Sequence, residues 1–152
     1  MNGNGIGAYQ RTGVTTADPK KLVLMCYEEA IRNLKIARTK YISRDYEEKA
    51  RALQKAIAII EALNCALDFE RGEKIAENLH ALYNYMIDHL RDSDLKRNIK
   101  GMDHIIWMLC ELKSAWEEIF NGIPKNSSMN FNGIPDTQER MAHNKETRIV
   151  IG

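Results

Sequence analysis

Residues 67–86 constrain the fold more tightly than any other stretch of the chain. Apolar side chains recur at Ile75, Leu79, Leu82, Met86 and Leu90, the spacing that gathers them on one stripe of a helix. Just upstream, Gly72 stands where a helix C-terminus takes a left-handed residue. The pattern predicts that one long helix stops at Gly72 and another opens within two or three residues. Two long helices joined so closely must lie antiparallel, and the rest of the chain has to pack on that hairpin.

The flanking sequence supplies partners of matching length. Asp18-Pro19 is a start signal, an N-cap carboxylate followed by proline at the first helical position. A first helix then runs to about Ser43, with Leu22, Cys26, Ala30, Leu34, Ala37 and Tyr41 on one face. Asp45 with Glu48 resembles a capping box and opens a second helix, expected to reach about Glu70. The third spans about Glu73 to Leu90, Arg91-Asp92-Ser93-Asp94 supplies a turn, and the fourth runs from about Leu95 to Phe120. Asn121-Gly122-Ile123-Pro124 ends it with a C-cap glycine and then a proline. Four helices of similar length with short connections predict an all-α, antiparallel up-down-up-down four-helix bundle over residues 18–121. Residues 1–17, glycine-rich and polar around Ala8-Tyr9-Gln10, read as a flexible arm. Residues 122–152 read as a flexible tail, with room for a short helix over about 137–145.

The charge balance excludes some functions. Twenty-two Lys and Arg against 21 Asp and Glu are interleaved, with no basic run of the density nucleic-acid binders carry. Three scattered cysteines, each inside a helical pattern, fit reduced, semi-buried thiols better than a disulfide framework. The first residues have no basic or apolar region of a signal peptide, and the longest apolar run, Ile105 to Cys110, is far short of the ~20 residues a membrane span needs. The expectation is a soluble, cytoplasmic protein that does not insert into membranes.

No constellation points to chemistry. Glu77-Asn78-Leu79-His80 has the Glu-x-x-His form of di-metal bundle sites, which need two such motifs plus a glutamate from each remaining helix. Here the motif occurs once, and at 100° per residue Glu77 falls opposite the apolar stripe, on solvated surface. No nucleophile elbow and no glycine-rich phosphate loop before a helix is present, and His89 reads as a boundary residue. Neither a catalytic site nor a cofactor or metal is expected.

The apolar faces are broader than a bundle requires. Leu53, Ile57, Ile60 and Leu67 form the inner stripe of the second helix, and Ala52, Ile59, Leu63 and Ala66 widen it to an arc of roughly 200°. The first helix adds Leu24, Ile31 and Ile42, and the fourth Met108, Ala115 and Ile119. Leaving such groups in water forgoes roughly 1.5–3 kcal/mol for each Leu or Ile. Three covers are open: the chain's own arm and tail, a second copy forming a homodimer, or a client. If the cover is a client, Ile59 and Leu63 on the outer side of the second helix are the side chains expected to meet it. Trp107 projects away from the fourth helix's stripe among charged residues, whereas Trp116 lies on it as core.

Ala8-Tyr9-Gln10, the block from Asp18-Pro19-Lys20-Lys21-Leu22 through Cys26-Tyr27-Glu28-Glu29-Ala30-Ile31, the hairpin, and Ser114-Ala115-Trp116-Glu117-Glu118-Ile119 together resemble the FliS family of flagellar secretion chaperones over residues 8–120. The resemblance implies a cytoplasmic helical bundle, not an enzyme. Such a bundle binds the disordered C-terminal segment of flagellin, prevents premature polymerisation and presents the subunit to the export gate of the flagellar type III apparatus. It implies a client laid into grooves between helices and an N-terminal arm near the groove that can occlude it, a role for Tyr9 and Gln10. Matching client positions would be Leu22, Met25 and Tyr27 on the first helix, and Leu79, Leu82 and Tyr83 on the hairpin. Two positions depart from the family pattern: Cys26 replaces an aliphatic residue, and Glu73 stands where a second glycine is common. The alternative reading is a structural or regulatory bundle whose wide faces serve self-association.

Overall fold

A computed structural model describes residues 18–122, so the arm and tail, with Tyr9 and Gln10, lie outside the described residues. Four helices follow one another: α1 (Pro19–Ile42), α2 (Tyr46–Cys65), α3 (Phe69–Leu95) and α4 (Ile99–Asn121). Contacts run around a closed ring, α1 on α2, α2 on α3, α3 on α4 and α4 back on α1, the arrangement of an up-down-up-down bundle.

Each helix opens on a side chain that satisfies an orphan N–H. The Asp18 carboxylate accepts from the Lys21 N–H at 3.0 Å, ahead of Pro19. Asp45 accepts from the Glu48 N–H at 3.3 Å, while the Glu48 side chain turns to Arg51 instead of completing a capping box. Asp68 takes the Glu70 and Arg71 N–H groups, and the Asn98 side chain takes that of Gly101. At the far end Gly122, with φ 70°, caps α4 in the left-handed region as expected.

Two boundaries differ from the sequence reading. Helix α2 ends at Cys65, not Glu70, because the Asp68 carboxylate caps a new helix within three residues. A helical segment does stop at Gly72 as expected, but it is the short turn 69–72 and not the long helix α2. Gly72 lies buried in the first turn of α3, its N–H donating to the Asp68 carbonyl at 2.7 Å, and the kink falls on its neighbour Glu73 (φ 48°, ψ −124°). The second difference is at residues 91–94, which continue α3 to Leu95. Their polar character suits a turn, but Ser93 is buried against Gly101 and Asp94 pairs with Lys49, so both belong to the helix. Reversal comes at Lys96–Asn98, with Arg97 at φ 55°.

The broad apolar arcs are largely consumed inside the bundle. Ala52, Ile59 and Leu63 of α2 are all buried, as are Ile31 of α1 and Met108 and Ala115 of α4. A helix in a closed ring touches two neighbours at different angles, so its buried arc must exceed a single-seam stripe. Leu24 and Ile119 are half-buried, and Ala66 and Ile42 are exposed. The large apolar groups most open to water are instead Ile42, Tyr46, Phe69, Tyr85, Leu95 and Trp107.

Candidate functional site

Three helices meet at a buried polar knot. Trp116 of α4, 2% exposed, donates its indole N–H to the Tyr27 hydroxyl of α1 at 3.1 Å. The Tyr27 hydroxyl in turn hydrogen-bonds that of Tyr83 on α3 at 2.5 Å. Burial pushes the Tyr27 phenol up to about 12 against its hydrogen bonds, and it moves the Tyr83 phenol in the same direction. Both remain neutral hydroxyls that donate and accept, so the knot is a structural tie with no charge at neutral pH. Cys26 beside it is raised to about 11 by burial and is an inert thiol.

Most side chains expected to meet a client contribute to this interior. Leu22, Tyr27, Ile59, Leu63, Leu79, Leu82 and Tyr83 are buried, and all but Leu22 belong to one contiguous core cluster. Met25 is half-buried. Ile59 and Leu63, expected on an open outer face of α2, are 8% and 4% exposed.

The surface offers three places where helices leave recesses or aromatic groups. Between α1 and α4 a cleft of about 410 Å³ is lined by Glu28, Ile31, Arg32, Lys35, Cys110, Lys113, Ser114 and Glu117. Lys113 bridges it, 2.8 Å from Glu117 and 3.6 Å from Glu28. The Glu117 hydrogen bond is the leading cause holding its ammonium above the ordinary lysine range. Across α2 and α3, Asn64, His80 and Asn84 close a polar triangle at 2.8–3.2 Å, with Phe69 edge-on to His80. Glu77 and His80 are both exposed, on the solvated side expected of them. Among the described residues no group of three or more His, Cys, Asp or Glu is placed to hold a metal.

On the α3–α4 side Tyr85 stacks on His89 at 5.3 Å, His89 meets His104 edge-on at 5.4 Å, and His104 stacks on Trp107 at 6.1 Å. The Tyr85 hydroxyl reaches His104 Nε2 at 3.3 Å. Desolvation, then the neighbouring His89, lowers the His104 pKa. Gly101 allows the close approach beneath, since a Cβ there would sit 1.9 Å from Ser93 Oγ. Sequence reasoning singled out Trp107 but missed Tyr85 and His104. Their signal was available: both lie off the apolar stripes, where a large aromatic ring or a histidine has no core to join. Cys65 and Cys110 are likewise exposed where semi-burial was expected.

No described helix is long and apolar enough to cross a membrane. The chain matches the family described as flagellar protein FliS over residues 2–122. It is 35% identical over 121 residues to the flagellar secretion chaperone FliS of Salmonella typhimurium, covering 76% of this chain and 90% of that protein. It is 35% identical over 106 residues to FliSB of Pseudomonas aeruginosa (70% and 84%) and 32% over 116 residues to FliS of Vibrio cholerae (74% and 85%). The match enters before α1 and stops at the Gly122 cap, so it takes in the whole bundle and leaves residues 123–152 beyond it. With that coverage and a fold of the expected class, the chain belongs to the FliS family of flagellar secretion chaperones.

Proposed function

We propose that this chain is a cytoplasmic, non-enzymatic export chaperone that binds the disordered C-terminal segment of flagellin, keeps it from polymerising early and helps deliver it to the flagellar export gate. The observation that carries the reading is the family match across the full bundle, with relatives named as flagellar secretion chaperones. The mechanism is mass action. A partner that holds the segment in a form unable to assemble lowers the free concentration available for assembly. Ordering such a segment costs several kcal/mol, so affinity must come from a long wrapped surface more than from one anchor. The α1–α4 cleft is the groove we assign to part of that surface. Its lining sets Ile31 among Arg32, Lys35, Glu28 and a Lys113–Glu117 pair, and suits a segment that carries aliphatic side chains among charges of both signs.

Mixing the protein with the C-terminal segment of flagellin from the same organism tests this directly. The expected result is a one-to-one complex in which the segment gains helicity and resonances of Ile31, Ser114 and their neighbours shift. Absence of binding at tens of micromolar, together with a concentration-dependent homodimer, would favour the self-associating alternative.

A further inference from the structure

The stacked group on the α3–α4 side ties the two helices together and still keeps ring surface exposed. Tyr85 is 44% exposed and Trp107 42% exposed, and His104 between them is exposed as well. Four rings in sequence present one apolar, weakly polar-edged face, the kind of patch that buries well against a flat or aromatic partner. The chain beyond α4 has the length and chemistry to cover it. From Gly122 back to Trp107 is 15 residues of helix, about 22 Å. Phe131 lies nine residues past Gly122, a reach of about 30 Å when extended. Met129 and Phe131 are the first large apolar residues able to return to the level of Trp107, since Ile123 is too close to the cap. Residues 126–135, Asn-Ser-Ser-Met-Asn-Phe-Asn-Gly-Ile-Pro, carry no charge, so docking desolvates none, and their amides and hydroxyls can meet the histidine and tyrosine edges.

We propose that the segment around Met129 and Phe131 docks on the Tyr85–His104–Trp107 face as an intramolecular cover, with the Phe131 ring packed on Trp107. The two indoles make the test internal. Trp116 is buried and bonded to Tyr27, so its indole N–H resonance serves as a control. In the full chain, Phe131→Ala is expected to shift the Trp107 indole N–H and His104 ring resonances and to make Trp107 emission more quenchable by acrylamide, with the Trp116 signal unmoved. Reciprocally, Trp107→Ala should shift the Met129 methyl resonance. Trp107 signals that ignore Phe131→Ala would overturn the proposal. So would wild-type signals that move on dilution, which would assign the face to a second copy of the chain.

Discussion

Tyr27 shows how a single hydroxyl can serve three helices. It accepts from the Trp116 indole and shares a hydrogen bond with Tyr83, so its removal leaves two buried polar groups without it as partner. An unsatisfied buried donor or acceptor costs about 1–3 kcal/mol, and Tyr27→Phe is expected to lower unfolding free energy by that amount in denaturant melts at neutral pH. The same residue sets an alkaline limit. Burial raises the folded-state pKa of Tyr27 to about 12 and of Cys26 to about 11, above their ordinary values near 10 and 9. The native state therefore holds protons that the unfolded chain releases. The associated stability is complete below about pH 9 and is lost as pH rises through about 11 and 12. Melts across that window should show a fall that is shallower in Tyr27→Phe, despite its lower starting stability. A parallel fall in both proteins would mean that Tyr27 does not titrate in the linkage.

At the scale of elements, the α2–α3 corner carries a conformational burden. Glu73 holds φ 48° and ψ −124°, a region where a Cβ is strained and glycine is at ease. Glu73→Gly should stabilise the fold by about 1 kcal/mol, strain relief outweighing the added freedom of the unfolded chain, read as a higher Tm. The glycine at 72 does mark the break before Glu73, but what ends α2 seven residues earlier is the competing cap at Asp68, whose hydrogen bonds no periodicity records. Helix number, order and inner stripes were legible because burial enforces the 3.6-residue period. The ends at 65 and 95 were not, because they depend on single caps and on tertiary contacts such as Ser93 against Gly101. Gly101→Ala should cost about 1–3 kcal/mol in the same melts, since the new methyl overlaps Ser93 and forces α3 and α4 apart. The site was less legible than the fold. An arc of 200° on α2 looks open until two neighbouring helices are seen to share it, and Ile59 is 8% exposed. Ile59→Asp is accordingly expected to unfold the bundle, at a cost of about 4 kcal/mol or more, before any effect on a client can be read.

Across the whole molecule, the two ends of the bundle's chain meet at one pole. Lys20 Nζ lies 5.9 Å from the centre of the Phe120 ring, so the start of α1 and the end of α4 lie side by side. Asp18 caps α1 and Gly122 caps α4, and among the described residues the core draws on all four helices. Deleting residues 1–12 should therefore leave the Tm unchanged. If Tyr9 and Gln10 occlude the client groove, as the family resemblance implies, the deletion removes a competing state and tightens the apparent Kd by the reciprocal of the open fraction. A client that binds only the folded bundle must also stabilise it, by about 2.7 kcal/mol at a hundredfold excess over Kd. Thermal melts of full-length and shortened chains with the flagellin segment check both effects together. Equal Tm without the segment and a larger rise for the shortened chain is the expected pattern. A lower Tm without the segment would place the arm in the fold, and an equal rise would separate it from binding.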